Sequence, residues 1–153
     1  MVELVIRRAK RGDLAALIAI FAADDIGGHG DTLHPAALPS YQKAFEELAG
    51  SPDECLYVAE QDGEVIGTFQ LGFRYSLPDR GALKATLEAV QVRPAERGQG
   101  IGGKLVRFAI AEARRKGAHS LSLTSNNARR DAHRFYERIG FQNTHRGYKL
   151  FLD

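Results

Sequence analysis

Apolar and polar positions recur along this chain in two periods, and the switches between them mark its elements. Over 3–9, Leu4 and Ile6 fall on one face of an expected strand. From Leu14 the period lengthens. Leu14, Leu17, Ile18 and Phe21 form the stripe of a helix running to about Ala23, with Asp13 as its expected N-cap. Ser40 is the expected cap of a second helix over 41–48, ended by Gly50. Two strands follow, over 54–60 and 65–73, and Asp62-Gly63 between them tolerates the positive φ of a hairpin turn. Residues 75–81 read as a longer loop.

A strand over 83–92 comes next, and Pro94 stops its pairing because it has no N–H to give to a ladder. From Ile101 the apolar residues Leu105, Val106, Phe108, Ala109 and Ala113 recur at helical spacing as far as Lys116, and Gly117 ends that helix. A short strand over 121–124 is followed by a helix over 131–139, whose start can lie as early as Asn127, with Gly140 as its stop. Residues 141–143 and 148–152 read as the last strands, joined through Arg146-Gly147. The order is β-α-α-β-β-β-α-β-α-β-β: an α/β chain with a mixed central sheet flanked by helices, expected as a single domain over 1–153.

Bulk properties narrow the function. The net charge of +2 is too small to argue for nucleic acid, and no apolar run approaches the roughly 20 residues of a membrane span. Met1-Val2-Glu3-Leu4 lacks a basic region followed by an apolar one, so no signal peptide is expected. Lone Cys55 has no disulfide partner, which fits a reduced, cytoplasmic setting and a small buried residue. Neither cysteine nor the five histidines give a metal spacing, so no metal is expected.

The chemistry concentrates between Val90 and Leu105, in a strand, a glycine loop and a helix. Gly98, Gly100, Gly102 and Gly103 let backbone amides converge where a helix dipole adds partial positive charge, which makes a phosphate site. Three patterns fit. Gly98 to Gly103 spells the dinucleotide fingerprint, but the next strand ends at Thr124-Ser125-Asn126 without the acidic residue expected about 20 positions on. Gly98 to Lys104 spells most of a P-loop, but Leu105 stands where Ser or Thr should hold magnesium. The third is an acyl-CoA diphosphate site. Here Arg97-Gly98-Gln99-Gly100-Ile101-Gly102, with the preceding Val90-Gln91-Val92-Arg93-Pro94 and the later Ala132-His133-Arg134-Phe135-Tyr136-Glu137-Arg138-Ile139-Gly140-Phe141, resembles the GCN5-related N-acetyltransferase (GNAT) family.

That resemblance implies an acetyl-CoA-dependent transfer to the primary amine of a small molecule or peptide, without a covalent intermediate. It implies that amides around Arg97, Gly98, Gln99, Gly100, Ile101, Gly102 and Gly103 hold the diphosphate. A bulged fourth strand would offer backbone near Val90, Gln91 and Val92 to the pantetheine arm, and Asn126 would also bind that arm. Asn127 suits a helix cap, and Arg129 and Arg130 are within the family's reach of an adenosine-side phosphate.

Tyr136 is the implied general acid, a phenol able to protonate the thiolate. Glu88, two residues before Val90 and so expected on its side of the strand, is the implied base, directly or through water. Phe135 reads as core, and His133 as a helix-surface or packing residue. The acceptor is expected near 24–38 and 73–81, where Asp24, Asp25, Asp31, His29, His34 and Tyr75 are available. A non-catalytic CoA-binding regulatory module is the alternative, and the late strands offer an edge that a second copy could cover as a homodimer.

Overall fold

The computed structural model describes residues 3–24, 26 and 30–152. They form two compact units, Met1–Leu123 and Thr124–Asp153.

The first unit is built on a five-stranded sheet in the order β1 (Val5–Arg8), β2 (Glu54–Gln61), β3 (Glu64–Tyr75), β4 (Leu83–Val92), β5 (Ser120–Ser122). The first four run antiparallel to their neighbours, and β5 joins β4 in parallel, so the sheet is mixed. The hairpin between β2 and β3 turns where expected, with φ of 53° at Asp62 and 77° at Gly63. Three helices flank the sheet: α1 (Leu14–Ala22), α2 (Leu38–Ala49) and α4 (Ile101–Arg115).

The middle of the sheet is the core. Val58, Ala59, Phe69 and Leu71 are completely buried, as are Leu105, Val106 and Ala109 of α4. Burying a side chain of this size contributes about 1.5–3 kcal/mol. Tyr57 stacks on Phe69 with ring centroids 4.9 Å apart, and Phe108 of α4 meets the Tyr57 ring edge-on at 5.3 Å. That places α4 on the Tyr57–Phe69 face. Leu56, on the other face, lines a cavity with Phe45 and Leu48 of α2.

Several local expectations change. Residues 75–81 contain a single turn, α3 (Pro78–Gly81), in which Asp79 and Arg80 are both left-handed. Asp79 is pinned there by Lys84 at 2.7 Å. Helix α2 starts before Ser40: a 3-10 turn, Pro35–Ala37, leads straight into it, and His34 Nδ1 accepts the Ala36 N–H at 3.1 Å. His34 is therefore a cap.

Asp13 does not cap α1 forward. Its carboxylate turns back to accept from Arg7 at 2.8 and 3.0 Å and from the Lys10 N–H at 2.7 Å. Two charge-assisted partners outcompete a single amide.

The second unit holds α5 (Arg130–Ile139) and the residues on either side. The two expected last strands are not formed among the described residues. The segment 141–152 makes no ladder, and Tyr148, Leu150, Phe151 and Leu152 are exposed. Alternation supplies a face, but a strand also needs a hydrogen-bonded neighbour. A homodimer edge built on those strands loses that footing.

Arg7 holds the Asp13 carboxyl below the usual carboxylate range; burial opposes this and the Lys10 amide reinforces it. A lowered folded-state pKa stabilises fully above the unfolded value of about 3.9, and that contribution is lost as pH falls through the folded value. Asp13→Asn should therefore lower unfolding free energy by about 1–3 kcal/mol at pH 7 in urea titrations. The gap to wild type should close below about pH 4. A gap unchanged from pH 7 to pH 3 would refute the assignment.

Candidate active site

Strand β4 carries one residue too many. Gly67 pairs with Val92, Thr68 with Gln91 and Gln70 with Glu88, so Phe69 alone faces both Ala89 and Val90. This is a β-bulge, and Ala89 takes a φ of 53° to make it.

The bulge sets which side chains share a face. Thr68 and Gln70 are two apart on β3 and point the same way, so their partners Gln91 and Glu88 do too. The expectation that Glu88 shares a side with Val90 is overturned, because the inserted residue breaks the alternation between them. Glu88 is exposed rather than buried in a central strand. The reason is topological: β5 pairs β4 only at Lys84, Ala85 and Thr86, so from Leu87 onward no strand among the described residues pairs β4 on that side.

Backbone groups open onto this free edge. The Arg93 N–H donates to the Ile66 carbonyl at 2.7 Å. Antiparallel ladders alternate, so the polar backbone groups of Val92 turn the other way. Its carbonyl accepts Arg97 Nε at 3.0 Å, which ties the glycine loop to the strand. The Gln91 side chain is tied as well, its Nε2 donating to Asp24 Oδ2 at 3.1 Å. The same alternation turns the backbone groups of Gln91 to Thr68 on β3, so Gln91 is engaged through both side chain and backbone.

The loop then delivers the chain into α4. Gly98 and Gly100 have φ of 80° and 79°, and a Cβ at either would meet open space, so conformation and not crowding requires glycine there. Gly100 is the N-cap of α4, and among the described residues no side chain caps the helix. The amides of Ile101, Gly102 and Gly103 precede the first intrahelical donor, Lys104, which bonds the Gly100 carbonyl at 3.3 Å. Ile101 and Gly103 are buried at this start of the helix. Gln99 is exposed in the loop. The arrangement fits a diphosphate: unpaired donors, a positive dipole end and glycine on the approach.

On the Glu88 face, Glu54, Gly72, Phe73, Arg74, Thr86 and Glu88 line a cleft of about 260 Å³. Glu54 lies flat across Gly72, where a Cβ would come within 2.3 Å of its Oε1, and its Oε2 accepts Gln70 Nε2 at 2.9 Å. Sequence reading missed Glu54, Gln70 and Arg74. Only the cross-strand register brings them beside Glu88.

In the second unit, Tyr136 is half-buried, with its ring against Phe135 and Phe141 at 5.2 and 5.7 Å. Burial raises the pKa of its phenol, with Arg129 acting in the opposite sense. Asn126 closes a turn, its Oδ1 accepting the Ala128 N–H at 2.8 Å, while its carbonyl meets His133 Nε2 at 2.9 Å. Its carboxamide NH2 is the part left to bind a ligand. Asn127 does not cap α5; Arg129 holds that position.

Two of the residues suggested for a cationic acceptor are otherwise engaged. Asp31 accepts from the Tyr41 hydroxyl at 2.7 Å, and Asp24 from Gln91. Tyr75 is exposed and Cys55 is buried. Asp25 and His29 lie outside the described residues. Among the described residues no group of three or more His, Cys, Asp or Glu could hold a metal, and no helix is long and apolar enough to cross a membrane.

A family model described as the acetyltransferase (GNAT) family matches residues 8–141. An aminoalkylphosphonate N-acetyltransferase from Salmonella typhimurium is 41% identical over 106 residues, which span 69% of this chain and 68% of that protein. The solved structure of a transcriptional regulator from Bacillus halodurans C-125 superposes with a TM-score of 0.94 at 37% identity, covering 98% of this chain and 100% of the other. The aminoglycoside N-acetyltransferase AAC(6')-Iy, in complex with CoA, shares the fold: TM-score 0.79 at 17% identity, over 99% and 96% of the two chains.

A left-handed non-glycine residue costs about 1–2 kcal/mol. Ala89→Gly is expected to stabilise the protein by about 0.5–1 kcal/mol, after the added chain entropy of glycine. Ala89→Val should destabilise it, since a β-branched residue fits that conformation worst. Urea midpoints of the three proteins check this; a stabilised valine variant would mean that β4 is not bulged at Ala89.

Proposed function

The chain belongs to the acetyltransferase (GNAT) family, and on that premise we propose that it transfers an acetyl group from acetyl-CoA directly to the primary amine of a small molecule. The observation that carries this reading lies within the first unit. An uncapped helix mouth at Gly100 follows a bulged strand whose free edge presents backbone groups.

When bound, acetyl-CoA supplies the thioester acyl group. The amides of Ile101, Gly102 and Gly103 meet its diphosphate, with Gly98 and Gly100 allowing the approach. Arg97 holds the loop against Val92. The edge of β4 from Val90 to Val92 pairs with the amides of the pantetheine arm as a strand would. A backbone N–H of that edge polarises the thioester carbonyl, and the carboxamide of Asn126 adds a donor.

Glu88 takes a proton from the substrate ammonium and frees its lone pair. The new N–C bond forms as the C–S bond breaks. The second proton lost by nitrogen balances the one that Tyr136 gives to sulfur, so one proton is released overall. The phenol of Tyr136 is protonated at neutral pH, and burial, which raises its pKa, keeps it so.

The Salmonella relative acts on a small amine, which supports a small-molecule acceptor over a peptide. The description of the Bacillus halodurans relative as a transcriptional regulator favours one second reading, a chain that binds CoA and signals without turnover.

A thiol-release assay across a panel of amines separates the two readings, and a catalyst should release CoA only when an amine is present. Glu88→Gln and Tyr136→Phe should each lower kcat by about 100-fold or more, with CoA affinity within about twofold of wild type as read by calorimetry. Gly100→Ala should instead weaken CoA binding by about tenfold, since alanine strains the left-handed cap. Turnover unchanged in both catalytic variants would end the assignment, and tighter binding of magnesium-ATP than of CoA would replace it with a nucleotide site.

A further inference from the structure

The cleft beside Glu88 has charges of opposite sign at its two ends. Cross-strand pairing stacks its residues in rows: Leu56, Gln70 and Glu88; then Glu54, Gly72 and Thr86; then Arg74 and Lys84. Successive rows are two residues apart, about 7 Å along the strands. Glu88 therefore stands at one end and Arg74 at the other, with Gly72 and Thr86 as the floor between them.

The neighbours of these two are already engaged. Lys84 is paired with Asp79 at 2.7 Å, and Glu54 takes the Gln70 amide at 2.9 Å. Among the described residues, Arg74 and Glu88 line one cleft, yet neither has an ion pair or a side-chain hydrogen bond. An exposed arginine alone would be a solvated side chain. Here it faces, across a glycine floor, the carboxylate assigned to receive an ammonium.

We propose that the acceptor is a short zwitterion, a primary amine joined by a small alkyl chain to an anionic oxo group, and that Arg74 is the residue that selects it. The amine lies at Glu88 and the anion is taken by the guanidinium of Arg74, whose planar fork matches carboxylate or phosphonate oxygens. Glu54, laid across Gly72, adds negative charge near the ammonium and repels an anion bound in the reverse sense. A diamine would leave Arg74 facing a second cation, and a neutral alkylamine would leave it unpaired. This inference rests on the acetyl-transfer reading and deepens it.

The test compares 2-aminoethylphosphonate and β-alanine with propylamine and 1,3-diaminopropane, using wild type, Arg74→Gln and Arg74→Lys. Thiol release gives kcat/KM, and calorimetry gives the binding of each amine to CoA-loaded protein. Wild type should favour the anionic amines about 10- to 100-fold, the worth of one charged hydrogen-bonded pair. Arg74→Gln should erase that preference by raising KM for the anionic amines, and Arg74→Lys should restore part of it. KM for acetyl-CoA should not change. The ranking of the two anionic amines tells phosphonate from carboxylate.

Turnover without anion preference, or a preference that survives Arg74→Gln, overturns the inference and leaves acetyl transfer standing. Absent turnover with anion-selective binding that Arg74→Gln abolishes does the reverse. Binding without selectivity and without turnover overturns both.

Discussion

An extra residue in one strand cannot be absorbed without turning the chain, and in β4 Ala89 does the turning. Its left-handed backbone costs about 1–2 kcal/mol, which the packed sheet around Phe69 and Leu71 is well able to hold. One consequence follows from that kink. The alternation of faces resets, so Glu88 and Gln91 look the same way. Independently of it, pairing with β5 ends at Thr86, so among the described residues no strand pairs that side of β4 from Leu87 onward. The placement of Glu88 thus derives from the bulge, and the free edge from the shortness of β5.

The bulge also explains why the loop that follows is tethered. An open strand end would fray, and Arg97 returns to the Val92 carbonyl while Arg93 bonds Ile66 and the carboxylates of Glu64 and Glu96. These contacts fix the angle at which the chain enters α4. The helix is anchored from the other side by Leu105 and Val106, which are fully buried. The amide mouth at Gly100 is thus held between a tethered loop and a core helix, which is the preorganisation an anion site needs.

Much of this was legible in the sequence because it is local. The stripe Leu105, Val106, Phe108, Ala109, Ala113 specifies a helix by itself, Asp62-Gly63 specifies a turn, and four glycines after Pro94 specify a backbone with unusual freedom. What could not be read was competition and register. Asp13 has the chemistry of a cap, but Arg7 lies close in space and takes its carboxylate. Ser40 looks like a helix start, but the 3-10 turn at Pro35 begins the coil earlier. Tyr148 to Leu152 has strand-like residues but pairs with no strand among the described residues. Glu54, Gln70 and Arg74 are scattered along the chain and meet Glu88 only across strands.

Gly72 has a consequence for how such chains can diverge. A Cβ there would come within 2.3 Å of the carboxylate of Glu54, the far end of a flexible side chain, so a residue larger than glycine would displace the acid and not be barred by it. A lineage that gains a methyl at 72 can keep the acid at 54, but its carboxylate must turn away from where it now accepts Gln70. Among descendants of a common ancestor, a side chain at 72 would therefore mark members in which the acid no longer lies across the floor of this cleft.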